Sequence, residues 1–179
     1  MAIKEYKRTD DSKLSENFKV SEFACKCGCA TLKVDEKLVT YLQKIRCHFG
    51  VPITINSGYR CETHNKKVGG ASGSRHTKGQ ACDIVVRGIK PKEVAKYAES
   101  IGILGIGLYE TDKDGYFVHV DTRTTKSFWY GQKCESRTTF FDNKTIYRVQ
   151  VGAFENKSNA EKMKKRLKEA GFEGYITEK

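Results

Sequence analysis

A carboxylate stands in the middle of an apolar strand. Ala81-Cys82-Asp83-Ile84-Val85-Val86 reads as a buried strand with Asp83 inside it. A carboxylate taken out of water needs a partner, so any fold that buries this strand must bring one to Asp83. An arginine would serve, and so would a metal ion. Just upstream, Ser74-Arg75-His76-Thr77-Lys78-Gly79-Gln80 carries His76 in a loop, and Gly79 lets the chain turn between that histidine and the strand. Further on, Val118-His119-Val120-Asp121 alternates, so His119 and Asp121 share one strand face and the valines take the other.

The rest of the chain reads as α+β. Residues 1–17 are polar and without period, which predicts a flexible arm. Asp35 is placed as an N-cap; Leu38, Leu42, Ile45 and Phe49 then line one helix face up to Gly50. Pro52 to Asn56 reads as a strand, and residues 61–75 as a loop rich in Gly, Ser, Asn and Lys. Pro91 opens a second helix that runs to Gly102 with Val94, Ala98 and Ile101 on one face. Ile103 to Tyr109 and Tyr116 to Asp121 are two strands joined by the turn Thr111 to Gly115. Residues 132–145 read as a linker. Residues 146–179 follow as a short β-α-β unit. Its strand is Tyr147 to Val151, its helix opens with a Ser158-x-x-Glu161 capping pattern and carries Ala160, Met163, Leu167 and Ala170, and Gly174 to Thr177 closes it.

Composition narrows the function classes. No apolar run approaches the ~20 residues of a membrane span, so no membrane partner is expected. The first ten residues hold no apolar stretch, so the expectation is a chain made in the cytoplasm without a secretory signal. Lys and Arg number 33 against 22 Asp and Glu, a net charge of +11. That suits a polyanion: nucleic acid, an anionic membrane face or an acidic wall polymer. A nucleic-acid partner would rest on charge alone and is not expected. Seven cysteines without a signal argue for a reduced compartment rather than a disulfide framework. Cys25, Cys27 and Cys29 alternate and would share a face in a strand; with Cys47 or Cys61 they could hold a structural zinc. Their spacing is not C-x2-C, and buried free cysteine is the competing reading.

There is no H-E-x-x-H, no G-x-S-x-G and no Walker loop. Two histidines and an aspartate can supply zinc with three ligands and leave the fourth position to water. Zinc lowers that water's pKa to about 7 and polarises a carbonyl, which suits amide hydrolysis.

The pattern S-x-H-x-x-G-x-A-x-D followed by H-x-D closely resembles the zinc D-Ala-D-Ala carboxypeptidase family. That family includes VanX-type dipeptidases and L-Ala-D-Glu endopeptidases of phage endolysins, and shares its fold with Hedgehog domains. The resemblance covers residues 18–131. It includes Phe18 to Cys29, Ser57-Gly58-Tyr59-Arg60, Asn65, Gly69-Gly70 and Phe117 to Arg123. It implies a Hedgehog-like domain with a small antiparallel sheet and flanking helices, holding one Zn2+ on His76, Asp83 and His119. It implies that Arg60 binds the substrate carbonyl or carboxylate and steadies the oxyanion. Ser74 and Tyr109 are assigned to the substrate with it. Several members carry a catalytic carboxylate three residues before the second histidine, where this chain has Tyr116. Asp121 is then expected as the base, since it shares a strand face with His119; a salt bridge to Arg123 or Arg60 is its competing role. Glu110 is the second choice, ahead of Asp112 and Asp114.

Tyr147 to Phe154, Asn159-Ala160-Glu161, Leu167 and Ala170-Gly171-Phe172 resemble the first half of a SPOR domain, a peptidoglycan-binding module. Such a half would pack on the peptidase domain, or two chains would pair through it as a homodimer. Together the resemblances imply a zinc peptidase of the peptidoglycan stem peptide or cross-link. It would be a wall-remodelling enzyme, or an endolysin reaching the wall by phage- or holin-type release. The bond would be D-Ala-D-Ala, a D-Ala cross-link or L-Ala-D-Glu. The alternative is a wall-binding protein that keeps its zinc without catalysis.

Overall fold

The computed structural model describes residues 2–141, 151–172 and 174–176. The chain divides into two units, residues 1–142 and 143–179. The first opens with β1 (Ile3–Lys7), paired antiparallel with β2 (Thr31–Asp35) so that Ile3 faces Asp35 and Lys7 faces Thr31. The flexible arm expected for residues 1–17 is therefore corrected. In β1 only Tyr6 is even half-buried, so no apolar period marks the strand. Backbone pairing and the Lys4–Glu36 ion pair hold it instead. Between β1 and β2, Phe18, Val20 and Phe23 are buried in the core.

Helix α1 (Glu36–Phe49) follows its sequence signals. Asp35 Oδ1 accepts the Lys37 N–H at 2.9 Å, and Gly50 at φ 68° ends the helix with its N–H on Arg46 O. Leu38, Leu42 and Ile45 are buried along one face. Next come β3 (Ile53–Ser57) and a six-residue α2 (Glu62–Lys67) inside the stretch expected as loop. Its residues are polar and only Asn65 is buried, so no amphipathic pattern announces it. Then follow β4 (Ala81–Val86), α3 (Pro91–Ser100), β5 (Gly105–Thr111), β6 (Gly115–Asp121), β7 (Ser127–Tyr130) and β8 (Glu135–Arg137).

These last strands build a six-stranded sheet in the order β3-β4-β6-β5-β7-β8, larger than the small sheet anticipated. Every pair is antiparallel except β5 with β7. The linker expected at 132–145 is corrected as well. Residues 135–137 pair with β7, and Phe140 is buried against Phe128 with ring centroids 5.2 Å apart. All three β8 residues are exposed, which is why composition alone suggested a linker.

Register divides the sheet into two faces. Ile84, Val118, Leu108, Val120, Ile106 and Phe128 occupy one face and join Leu38, Leu42, Ile45, Val94 and Ala98 in the core. Asp83, His119, Gly107 and Trp129 lie side by side on the other.

The second unit contains α4 (Lys157–Glu169), whose N-cap is Asn156 rather than Ser158: Asn156 Oδ1 accepts the Ser158 N–H at 2.9 Å. Ala160, Met163 and Leu167 are its half-buried stripe, while Ala170, expected on the same face, is the C-cap and exposed. The strand expected at Tyr147 to Val151 lies, apart from its last residue, outside the described residues. Residues 174–176 form no regular element, and Thr177 lies outside the described residues.

Leu42 is wholly buried beneath the sheet. Leu42→Ala should lower stability by about 2–5 kcal/mol, read as an earlier denaturant midpoint with an unchanged slope.

Candidate metal centre

The centre is set by strand register and one tight turn. β4 and β6 pair with Asp83 opposite His119, so both side chains leave the same sheet face. His76 arrives from a one-turn 3-10 helix, Arg75–Lys78. Ser74 Oγ accepts the His76 N–H at 3.3 Å at the start of that turn. The hydroxyl assigned to substrate from the sequence therefore builds the turn. Gly79 closes it at φ 71°, tight against the Lys33 backbone, where a side chain would be both strained and overlapping.

Three atoms converge there. His76 Nε2 lies 3.2 Å from His119 Nδ1 and 3.3 Å from Asp83 Oδ1, and His119 Nδ1 lies 2.9 Å from the same oxygen. A tetrahedral zinc with ligand bonds of ~2.0–2.2 Å needs its ligand atoms about 3.3–3.6 Å apart. The three separations here are at or a few tenths of an ångström below that span, and two imidazole nitrogens with one carboxylate oxygen are a donor set that suits zinc. His76 and His119 are buried, and the Asp83 side chain keeps 14% of its surface exposed, so the centre has an open side.

The outward nitrogens are held too. His76 Nδ1 donates to Gly58 O at 2.7 Å, and His119 Nε2 donates to Asp121 Oδ2 at 3.1 Å. Those bonds keep the protons on the far side of each ring and turn the free lone pairs toward the centre. Asp121 is fully buried and clamped by Arg123, with Nη2 at 2.6 Å from Oδ2 and Nε at 2.8 Å from Oδ1. Its carboxylate thus stands behind the His119 ring. This corrects its expected role as base: sharing a strand face with a ligand brought it to the ligand's outer nitrogen. Glu110 pairs with Tyr116, and their register sends both side chains to the face opposite His119, so the second choice is corrected as well. Asp112 accepts the Tyr116 hydroxyl and Asp114 the Thr111 hydroxyl, both in the hairpin turn.

Arg60 lies beside the centre. Its Nη2 donates to Asp83 Oδ2 at 3.0 Å, which leaves Oδ1 to face the histidines. Its Nε is buried without a partner. Tyr109 stacks on Phe117 at 4.2 Å, and its hydroxyl accepts the Trp129 indole N–H at 2.9 Å. Trp129 lies 5.0 Å from the His119 ring, centroid to centroid. Sequence reading missed Trp129, the Gly58 carbonyl, Gly105 beside Asp121 and Gly107 beside Trp129. A Cβ at Gly105 would overlap the Asp121 carboxylate, and one at Gly107 would overlap the Trp129 indole. The available signal was Gly105-x-Gly107, two glycines on one face of a strand.

The electrostatics follow. Burial would raise the Asp83 carboxyl, but His76 and His119 outweigh it and hold the group well below the usual carboxylate range. Burial opposes ionisation of Asp121 too, and His119 and Arg123 pull its pKa down. The His119 imidazole is raised: Asp121 and Asp83 overcome the effect of its burial.

A mixed sheet presents two histidines and an aspartate at an open face, each histidine held from behind, a donor set that could hold a metal ion. Comparison with known proteins gives the family: the Peptidase M15 model matches residues 16–121, and the chain belongs to that family. The SPOR domain model matches residues 128–179, starting within β7. The chain is 34% identical over 96 residues to the peptidoglycan L,D-endopeptidase MepK of Escherichia coli, covering 50% of this chain and 51% of that protein. It is 32% identical over 107 residues to a probable MepK of Haemophilus influenzae, covering 55% of each. It is 37% identical over 89 residues to the zinc D-Ala-D-Ala carboxypeptidase of Streptomyces albus G, covering 44% of this chain and 35% of that protein. The chain spans about half the length of the L,D-endopeptidases it matches.

Two outcomes follow. Asp121→Asn should weaken zinc affinity about 10–100-fold, measured by competition with a chromophoric chelator. Zinc binding should also weaken with acid. The metal needs His119 neutral, and its raised pKa means protons begin to compete above the ordinary imidazole value of about 6.5. Isothermal titrations of zinc across pH should show affinity falling as pH drops through that region.

Proposed function

We propose that the chain is a zinc peptidase that cuts an amide bond in the peptide part of peptidoglycan and acts at the bacterial cell wall. The observation that carries this is the convergence of His76 Nε2, Asp83 Oδ1 and His119 Nδ1 within 2.9–3.3 Å on one open sheet face. Membership of the Peptidase M15 family and the printed activities of its relatives support the substrate class. The SPOR match supports a wall-binding role for the C-terminal unit. Among the described residues no helix is long and apolar enough to cross a membrane.

His76, Asp83 and His119 would hold the zinc, which when bound supplies Lewis acidity and lowers the pKa of water. The chain's own groups do the rest. The Gly58 carbonyl and Asp121 hold a proton on each outer ring nitrogen, which turns the inner nitrogens of both rings toward the metal position. Arg60 fixes Asp83 through Oδ2 and offers its remaining N–H groups to a substrate carbonyl or carboxylate, where charge develops in the tetrahedral transition state. Tyr109 and Trp129 form an aromatic wall beside His119 for the substrate peptide.

One observation favours a second reading, a wall-binding protein that keeps zinc without catalysis. Tyr116 occupies the position three before His119, and Asp121 and Glu110 are turned from the centre. Purified muropeptides, digested with the zinc-loaded chain and read by mass spectrometry, separate the two. Peptide products from the wild type and none from His76→Ala support the peptidase and name the bond as D-Ala-D-Ala, a cross-link or L-Ala-D-Glu. Intact muropeptides in both leave the binding protein.

Removing residues 143–179 should leave muropeptide cleavage unchanged and weaken sedimentation with insoluble sacculi. Equal sedimentation of the truncated chain would refute wall targeting by that unit. A dimer in gel filtration that the truncation abolishes would make the unit an assembly element instead.

A further inference from the structure

We propose that Cys25, Cys27, Cys29 and Cys61 form a second, structural zinc site, separate from the histidine-aspartate centre. The four sulfurs all lie within 4.8 Å of one another. Cys25 Sγ is 3.3 Å from Cys27 Sγ, which is 3.5 Å from Cys61 Sγ. Disulfide bonding needs about 2.05 Å. A zinc tetrathiolate with bonds of ~2.3 Å places its sulfurs about 3.8 Å apart, which is the scale seen here. Four sulfurs with no oxygen donor select zinc over calcium or magnesium, and a closed four-ligand set makes the site structural.

The ligands come from two segments far apart in sequence, residues 25–29 and Cys61. Residues 25–29 are not the strand that their alternation suggested. Gly28, at φ 89°, folds them into a knuckle whose Gly28 N–H donates to Cys25 O at 3.2 Å. Cys61 stands at the start of α2, where its Sγ accepts the His64 N–H at 3.4 Å, a bond suited to a thiolate. The Tyr59 N–H donates to Phe23 O at 2.8 Å and holds the two segments side by side. Arg8 lies against the knuckle with Nη1 at 3.4 Å from Cys25 O, a positive charge beside a cluster that would be negative when zinc-bound. Cys47, the other partner considered, is outside the group, 3.2 Å from Gln43 Nε2. Cys61 adjoins Arg60 and lies close in sequence to Gly58, whose carbonyl orients His76. The thiolate site would therefore pin the segment that supports the first centre.

The site does not depend on the peptidase reading, and its test reads metal rather than activity. The full chain, purified reduced and zinc-loaded, should hold two zinc ions by elemental analysis. His76→Ala should keep one, and on cobalt substitution should show the intense near-ultraviolet thiolate-to-cobalt charge-transfer band. Cys27→Ser with Cys61→Ser should also keep one zinc but lose that band. Should those variants fail to fold, mass-mapped thiol labelling of the wild type decides. The four cysteines should resist the reagent until a chelator is added. A single zinc that disappears in His76→Ala, a band that survives the double serine change, or immediate labelling of Cys25, Cys27 and Cys61 would overturn the proposal.

Discussion

The register between β4 and β6 is the constraint on which the rest depends. Asp83 lies opposite His119, and a slip of one residue would send both side chains into the apolar face beneath. That face is fixed by Ile84, Val118 and Val120, which pack with Leu42, Ile45 and Val94 in the core. The core thus sets the register, and the register sets the centre. Asp83 is stabilised in its partly buried place by His76, His119 and Arg60 together, which is how an apolar strand tolerates a carboxylate.

Around the three donors lies a layer that aims them. The Gly58 carbonyl and the Asp121 carboxylate each take the proton of an outer ring nitrogen, and Arg123 in turn holds Asp121. Gly105 leaves the space that Asp121 fills, and Gly107 the space that Trp129 fills. Asp121 therefore faces the outer nitrogen of His119 and not the open side of the centre. The same layer explains the opposed shifts of the two groups, since a carboxylate and an imidazole bound to each other each favour the charged form.

The two cysteine-bearing segments and the metal centre meet at residues 58–61. Gly58 orients His76, Arg60 holds Asp83, and Cys61 joins the sulfur cluster. A short stretch outside the sheet thus links the N-terminal knuckle to the histidine-aspartate donors. The second unit is built on different terms: α4 has no fully buried residue, and of that helix the Ala160, Met163 and Leu167 stripe is half-buried. The wall-binding reading for that unit rests on the SPOR match, not on packing.

The elements that bury an apolar face, and the residues that carry motif chemistry, were legible from residue order. α1 and α3 follow the periodicity and caps of their segments, and β4, β5 and β6 follow their apolar runs. His76, Asp83, His119 and Arg60 stand together as the motif implied. Elements with no buried face were invisible to it: β1, α2 and β8 are polar, and long-range backbone pairing or a cap defines them. What each polar group faces came from the packing of distant segments. Asp121 and His119 do share a strand face, yet the ring's two nitrogens point in different directions, and Asp121 meets the outer one. Periodicity places a side chain on a face; which atom of a neighbour it reaches depends on rotamers and on strands distant in sequence, and no local pattern encodes that.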